Sequence, residues 1–383
     1  MKPILRFSNF DNDWEEIELL KITPEISYGM NAASKEYDGE NKYIRITDID
    51  EQTNKYIHKN IVSPDGNLEE KFLVKENDIL FARTGASTGK TYLYDKNDGK
   101  LYYAGFLIKA NIINHNANFI FQQTKLNKYN SWVKIMSMRS GQPGINSQEY
   151  GSYKFSITSL EEENKISKFL SLLDKKIELQ SKKIEDLKLF KLYTKNQIFN
   201  DYDEVHKLKD ILVKWNKKNK NNSVKYVESI SNKYGFISQT NQFEDRNVAS
   251  KNLNNYYIIE KGVFGYNPSR LNVGSLALKT NDKISVVSPL YECFTTSQNN
   301  QYLLEWFDSK YFRKETISKF EGGVRNTLNF SNLCEIEIRL PTIEKQNKYS
   351  NIFKMFNNKI ELEVKKLCKL HELKKGLMQS MFV

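Results

Sequence analysis

The sequence predicts an α+β fold in which two mostly-β domains, arranged as a tandem repeat, alternate with two long helices. From Ile166, apolar residues recur at alternating steps of four and three residues, the heptad pattern of a helix that packs along one face. A second seam in the same phase begins 183 residues later, at Tyr349. Each seam follows a stretch of short apolar segments separated by Gly, Asn, Asp and Pro, which is typical of strands and turns. The predicted domains are residues 1–158 and 201–341, and the predicted helices are residues 159–200 and 342–383.

Polar residues interrupt both seams at equivalent steps, which an ordinary amphipathic helix has no reason to do. Gln180 corresponds to Glu363, and Lys191 corresponds to Lys374. Polar groups within a heptad seam set the register and the choice of partner at a cost in stability. At about 1.5 Å of rise per residue, each helix would span roughly 55 to 60 Å. We therefore predict that both helices act as spacers.

The first domain is predicted to be mostly β with one helix. Its predicted strands are Tyr43–Ile46, Phe72–Val74, Ile79–Phe81, Tyr102–Ile112 and Tyr153–Ile157, and its predicted helix is Asn118–Met138. The second domain repeats this order at a nearly constant offset, which chance matches would not keep. The pairs at an offset of 185 residues are Ile79 with Phe264, Phe81 with Tyr266, Thr84 with Ser269, Gly89 with Gly274 and Phe106 with Tyr291. Because the domains differ in most residues while the helices agree, we expect two related but distinct targets.

The bulk composition points to an anionic partner. The 383 residues carry a net charge of +11, and the pI is near 9.1, which favours nucleic acid. No apolar run approaches the roughly 18 residues of a membrane span, and the first residues lack a secretory signal, so we expect a cytoplasmic protein. The three cysteines, Cys293, Cys334 and Cys368, are scattered, which disfavours a disulfide framework and a structural zinc site.

Motifs for catalysis are incomplete. The segment Gly85–Thr91 resembles a phosphate-binding loop, but Thr84 occupies the place of the first glycine, and the counterpart Ser269–Ser275 has no lysine after Gly274. A P-loop nucleotide hydrolase is therefore a disfavoured alternative. The sequence also has no Rossmann glycine triplet, no methyltransferase tetrapeptide and no Ser–His–Asp arrangement. We predict a protein without catalytic residues and without a metal site.

Polar and basic side chains at matching places in both domains are the candidate binding residues. Arg can bind guanine bidentately, Asn or Gln can bind adenine, and Lys mostly neutralises phosphate. Each position alone could be an ordinary solvated loop residue, so the prediction applies to the clusters. The predicted DNA-binding residues are Arg83, Thr84, Ser87, Lys90, Arg139 and Gln142 in the first domain, and Asn267, Ser269, Arg270, Asn272, Arg325 and Asn326 in the second.

The layout resembles the specificity subunit of a type I restriction-modification enzyme over essentially the whole chain. The motifs that carry this resemblance are Leu5–Phe7, Trp14–Glu15, Asp78–Gly85, Tyr266–Ser275, Ser288–Tyr291 and Leu340–Pro341. The first helix departs from the family's Leu-Pro start, because Ile157–Leu160 stands there. Thr158 or Ser159 can cap the helix instead.

The resemblance implies two target-recognition domains, each reading one half of a split double-stranded DNA site. It also implies that the two helices pack antiparallel as a coiled coil and hold the half-sites on the order of one DNA turn, about 34 Å, or more apart. Two methyltransferase subunits would dock on the helices, and motor nuclease (restriction) subunits could join them. S-adenosylmethionine, ATP and magnesium would be bound by those partners, and no cofactor by this chain. The alternative from another class is a coiled-coil interaction protein whose β domains bind proteins or glycans.

Overall fold

The computed structural model describes residues 2–138, 141–200, 204–232, 234–239, 252–317 and 327–383. Its contacts divide the chain into two compact units, Met1–Gln180 with Lys366–Val383, and Ser181–Lys365. Each unit combines one β-rich domain with part of both long helices. The predicted fold class is confirmed. The division into four segments stays a prediction, because the compact units cut through both helices.

The first unit contains ten described strands. They are β1 (Glu15–Glu18), β2 (Ile26–Tyr28), β3 (Ala33–Glu36), β4 (Lys42–Ile44), β5 (Val62–Asp65), β6 (Asp78–Ala82), β7 (Thr91–Leu93), β8 (Leu101–Tyr103), β9 (Leu107–Asn111) and β10 (Lys154–Ile157). Three short helices lie among the later strands, and the first long helix starts in this unit. These helices are α1 (Ala117–Gln123), α2 (Asn127–Met136), α3 (Ser147–Gly151) and the long α4 (Leu160–Asn200).

The second unit repeats this arrangement. Its described strands are β11 (Val205–Lys207), β12 (Leu212–Lys214), β13 (Glu228–Ser231), β14 (Gly235–Ser238), β15 (Tyr257–Ile259), β16 (Phe264–Tyr266), β17 (Leu276–Leu278), β18 (Ser285–Val287), β19 (Glu292–Thr296) and β20 (Glu337–Arg339). Its described helices are α5 (Asn300–Phe307), α6 (Lys310–Ile317), α7 (Phe330–Cys334) and the start of the long α8 (Ile343–Met381).

The same sheet order occurs in both units. A four-stranded antiparallel sheet has the order β2-β9-β6-β7 in the first unit and β12-β19-β16-β17 in the second. An antiparallel pair leads into each long helix, β1 with β10 and β11 with β20. The tandem repeat predicted from loosely matched residues is thus also a repeat of topology.

Three predicted elements of the first domain are wrong in detail. The predicted strand Phe72–Val74 overlaps a 3-10 turn, Glu70–Phe72, and Leu73 makes only an isolated bridge with Tyr102, although Val74 is buried. Three successive apolar residues can be buried without pairing in a β-sheet, and the apolar pattern alone does not distinguish a buried strand from a buried loop.

The predicted strand Tyr102–Ile112 is two strands. A turn closed by a hydrogen bond from Leu107 N to Ala104 O (2.8 Å) separates β8, which pairs with β4, from β9 of the four-stranded sheet. The predicted helix Asn118–Met138 is also two helices. The hydroxyl of Thr124 donates to Phe121 O (2.8 Å), and α1 ends there because such a bond competes with helix continuation.

The long helices pair antiparallel within each unit. In the second unit, the rings of Phe190 and Phe199 on α4 contact those of Phe356 and Phe353 on α8, with centroids 5.5 and 5.8 Å apart. Residue numbers rise on α4 as they fall on α8, so the helices run in opposite directions. In the first unit, the start of α4 and the end of α8 share one core, and the residues Ile166, Leu170, Met378 and Met381 lie in it. The predicted antiparallel pairing is confirmed in both units.

Burial follows the predicted seam, including its polar members. Glu363 is fully buried and ion-paired to Lys183 and Lys359, both at 3.1 Å. Lys374 is ion-paired to Asp174 in the first unit. These polar groups are therefore satisfied parts of the packed seam, which agrees with a role in setting register.

A repeated clamp attaches each domain to its long helix. Asn116 accepts a hydrogen bond from Phe119 N (2.9 Å) as the N-cap of α1, and its amide donates to Asn164 on α4 (2.6 Å). At the equivalent place, Asn299 caps α5 and donates to Asn347 on α8 (2.7 Å). One residue type thus satisfies the free amides of a helix start and fixes the helix to the spacer.

No helix among the described residues has the length and hydropathy required to cross a bilayer.

Candidate nucleic-acid interface

In the first unit, the loop that carries Arg83, Thr84 and Ser87 meets the loop that carries Gln142. Gly85 N donates to Pro143 O, and Ile145 N donates to Arg83 O, both at 2.9 Å. Thr84 and Gly144 form an antiparallel bridge. We call residues 83–89 and 141–145 the first loop pair. The sequence places its two segments more than fifty residues apart, and the structure joins them by main-chain hydrogen bonds.

The second unit builds the same arrangement. Leu328 N donates to Pro268 O (3.1 Å), which repeats the bond between Ile145 and Arg83. Asn267 caps the 3-10 helix Pro268–Val273 by accepting from Ser269 N (3.0 Å), and Gly274 ends that helix with a φ of +89°, which favours glycine. We call residues 267–274 and 327–328 the second loop pair.

The predicted residues of these loop pairs differ in the exposure and the contacts of their side chains. Arg83, Thr84 and Ser87 are half-buried on the first loop pair, and Gln142 is exposed beside them. On the second, Ser269 and Arg270 are exposed, whereas the side chain of Asn267 acts as the cap. The remaining predicted residues Arg139, Arg325 and Asn326, and the side chain of Asn272, lie outside the described part of the chain.

Lys90 has a structural contact. Its ammonium donates to Ile49 O (3.1 Å) and lies 3.4 Å from Glu51, so it holds the turn at residues 50–54 against the four-stranded sheet. The ammonium of Lys90 is therefore engaged within the protein, and a contact of Lys90 with phosphate stays a prediction.

The loop that resembles a phosphate-binding loop uses its amides internally. Thr88 N donates to Gly85 O, Gly89 N to Ala82 O, and Lys90 N to Ser87 O, at 3.0 to 3.1 Å. A P-loop requires such amides to point at the phosphates. The geometry therefore disfavours the nucleotide-hydrolase alternative. Among the described residues, no group of three or more His, Cys, Asp or Glu side chains could hold a metal ion.

The loop-pair arginines differ from other arginines in their surroundings. Arg6 and Arg45 are ion-paired to Glu162 and Asp48, both at 2.8 Å. Within the described residues, neither Arg83 nor Arg270 has a carboxylate partner, and both lie on the loop pairs. Guanidinium groups without a described carboxylate partner, at repeat-equivalent loops, are the arrangement expected of a surface that binds an anionic ligand.

Two residues beside the first loop pair, Tyr28 and Phe106, were not predicted from the sequence. The ring of Tyr28 lies under Arg83, with 4.9 Å from the guanidinium carbon to the ring centroid. Phe106 is 59 % exposed, and its carbonyl accepts from Arg83 N (3.0 Å). The repeat offset had already paired Phe106 with Tyr291, so its position could have been noticed. No sequence signal distinguishes Tyr28 from other strand residues.

Comparison with known proteins agrees with this geometry. Residues 12–189 match the family model of the type I restriction modification DNA specificity domain. A type I restriction enzyme MjaVIII specificity subunit from Methanocaldococcus jannaschii is 22 % identical over 345 residues, covering 81 % of this chain and 79 % of the relative.

Two solved structures share the fold. The type I restriction-modification S subunit from M. genitalium has a TM-score of 0.63 at 14 % identity, covering 100 % of this chain and 99 % of that one. A chain from a study of complex assembly and conformational transition of the type I system has a TM-score of 0.57 at 13 % identity, covering 96 % and 97 %. Residues 12–189 therefore match the type I restriction modification DNA specificity domain, and over nearly its whole length the chain shares the fold of these two structures.

Proposed function

We propose that this chain is the DNA-recognition subunit of a type I restriction-modification complex, and that its two domains read the two halves of a split DNA site. The observation that carries this proposal is the loop pair that is built twice. The hydrogen bond between Ile145 and Arg83 recurs between Leu328 and Pro268, but the side chains around it differ. A common frame with different side chains is suited to reading two different half-sites.

The charge of the chain supports a nucleic-acid partner. The net charge is +11, and the loop pairs carry Arg83 and Arg270, for which no carboxylate partner occurs in the described ranges. Contacts with phosphates release counterions, so binding should weaken steeply with salt. We assign no catalytic step to this chain. Methyl transfer with S-adenosylmethionine, and ATP- and magnesium-dependent cleavage where it occurs, would be carried out by partner subunits in the cytoplasm.

Exposed apolar residues on the long helices support two equivalent docking surfaces for methyltransferase subunits. They recur at the repeat offset of 183 residues, where a purely solvated face has no reason to repeat them. The exposed pairs are Leu172 with Met355, Leu179 with Leu362, and Phe190 with Leu373. Each unit contains three of these residues, two from the start of one long helix and one from the end of the other. A surface present twice fits two copies of one partner.

Selection from a random duplex library tests the recognition proposal. The full chain, together with its methyltransferase partner, is expected to select two short motifs separated by a spacer of fixed length. Affinity for the selected site should fall about a thousandfold or more between about 50 and about 200 mM salt. A single contiguous motif, or binding that does not respond to salt, would contradict the proposal.

A variant can assign one half-site to one domain. Arg270→Gln is expected to relax the base preference in one half of the selected site and leave the other half unchanged. Equal weakening of both halves would show that Arg270 contacts phosphate or has only a structural role.

A further inference from the structure

The stacked pair of Arg83 and Tyr28 is the feature of the first unit whose role is not explained by packing. The Arg83 guanidinium lies over the Tyr28 ring, 4.9 Å from the centroid. Such a contact is attractive because the face of an aromatic ring is electronegative. Among the described residues, no carboxylate pairs with Arg83, so the stacking contact orients its charge without using a hydrogen-bond donor.

Tyr28 is held rigidly although 40 % of its surface is exposed. Its hydroxyl accepts a hydrogen bond from Ser147 N (3.1 Å) at the start of α3, and its carbonyl accepts from the hydroxyl of Tyr103 (3.2 Å). The next residue, Gly29, lies so close to the strand end that an added Cβ would fall 2.2 Å from Ala104 O. The ring is therefore a fixed platform on an exposed surface.

The backbone of Arg83 is equally constrained. Its N–H donates to Phe106 O (3.0 Å), and its carbonyl accepts from Ile145 N (2.9 Å). Three chain segments thus converge on one residue whose side chain donates to no described residue. A guanidinium has five N–H donors in a planar fork, which matches the N7 and O6 acceptors of guanine in the major groove.

We propose that Tyr28 is a positioning residue that holds Arg83 to read a guanine in the half-site of the first domain. This inference rests on the proposed function and adds to it a base, a groove edge and a positioning residue. A guanidinium that is already oriented loses less conformational freedom on binding than a free one. Discrimination against other bases at this position should then be roughly 5- to 150-fold, the range for a good bidentate contact.

The test measures base preference at every position of the selected site, with the full chain and its methyltransferase partner. Arg83→Gln is expected to remove the preference for G·C at one base pair of one half-site. Tyr28→Leu should weaken the preference at that same base pair, whereas Tyr28→Phe, which keeps the ring, should largely retain it. Arg45→Gln is the matched control, because Arg45 in the same unit is already paired with Asp48.

The possible results separate the inference from the proposed function. If no split site is selected by the unaltered chain, the proposed function fails. If the split site is selected but Arg83→Gln and Tyr28→Leu leave its base preferences unchanged, only this inference fails. Weaker binding to all sequences alike, with a shallower salt dependence, would mark Arg83 as a phosphate contact and also overturn the inference. Circular dichroism of each variant checks that the fold is retained.

Discussion

Replacing Glu305 by glutamine is expected to destabilise the second unit by about 3 to 5 kcal/mol, the usual cost of removing one partner from a buried ion pair. Glu305 is only 5 % exposed. Its carboxylate lies 2.9 Å from the ammonium of Lys191 and 3.1 Å from that of Lys195, and it accepts from the Asn357 amide at 3.0 Å. Burial raises the pKa of Glu305, but the two lysines outweigh it and hold that pKa below its usual value.

The first unit contains an equivalent cluster in which the carboxylate lies on the long helix α4 instead of on a short helix of the domain. Gln122 occupies the place of Glu305, and its amide lies 3.4 Å from Asp174, which occupies the place of Asn357. Asp174 is ion-paired to Lys374, the equivalent of Lys191 in the other seam. Each unit therefore has one acid and one amide at these two positions, in opposite order.

This exchange predicts how a double variant behaves. Glu305→Gln combined with Asn357→Asp restores a carboxylate beside Lys191, as in the first unit, but leaves Lys195, among the described residues, with the exposed Asp308 as its one acidic partner. Part of the lost stability should return, with a coupling energy of about 1 to 3 kcal/mol, as is usual for residues in contact. Asn357→Asp alone should destabilise, because its new carboxylate would lie against that of Glu305.

Urea unfolding followed by far-ultraviolet circular dichroism measures these effects. With a slope of about 3 kcal/mol per molar urea, Glu305→Gln should lower the midpoint of the second unit's transition by about 1 to 1.7 M. The control is Glu361→Gln, which breaks an exposed pair with Lys365 and should leave the midpoint nearly unchanged, because solvent screens such a pair. The reasoning is refuted if Glu305→Gln costs no more than this control, or if Asn357→Asp has the same effect in both backgrounds.

Three further predictions concern stability. Gly89→Ala should lower the free energy of unfolding, measured by thermal unfolding, by about 2 to 5 kcal/mol, because Gly89 has a φ of +89° and an added Cβ would fall 2.5 Å from Val133. Gly39→Ala should lower it by less, because Gly39 has a φ of +92° but open space around its Cα. Burial raises the pKa of Glu162, but hydrogen bonds from neighbouring side chains, including the guanidinium of Arg6, outweigh burial, and the net pKa is lowered. The contribution of Glu162 to stability is therefore present above about pH 4.3 and is lost as the pH falls. Glu162→Gln should flatten this acid dependence. Burial lowers the pKa of Lys125 to about 7, so between about pH 7 and 10.4 the unfolded chain binds more protons than the folded chain. Stability should therefore rise with pH across that range, and Lys125→Met should remove this rise.

Each of these predictions has an outcome that contradicts it. Equal losses for the two glycine variants would show that backbone conformation alone, and not the contact with Val133, sets the cost. A Glu162→Gln chain with the same acid dependence as the parent would assign that dependence to other carboxylates. A pH profile of unfolding that is unchanged in Lys125→Met would show that this ammonium titrates near its ordinary value.

Much of the architecture is predictable from the sequence because it rests on periodicity. The seam that starts at Ile166 and Tyr349 reports burial directly, since one face of a long helix repeats every seven residues. The wrong elements are those in which a local bond overrides the apolar pattern, such as the hydroxyl of Thr124 that ends α1. A pattern of apolar residues does not contain that information.

The candidate site was predictable only in part, because its geometry depends on contacts between distant segments. The sequence predicts both clusters of the first domain, but not the hydrogen bond from Gly85 N to Pro143 O that joins the two loops. The contact of Lys90 with Glu51, 39 residues earlier, could not be predicted, because it has no sequence signature. Tyr28 was missed for the same reason, since its relation to Arg83 exists only in the folded chain.

The first compact unit is closed by residues from the far end of the chain, and this has a consequence for synthesis on the ribosome. Phe382 packs against Trp14 and Phe119, and Leu5 N donates to Ser380 O (2.8 Å). The core of the nascent first domain therefore stays incomplete, with that part of it exposed, while all of Ser181–Lys365 is translated. The second unit, whose segments are contiguous, can mature earlier, so the part of the protein made first is the part completed last.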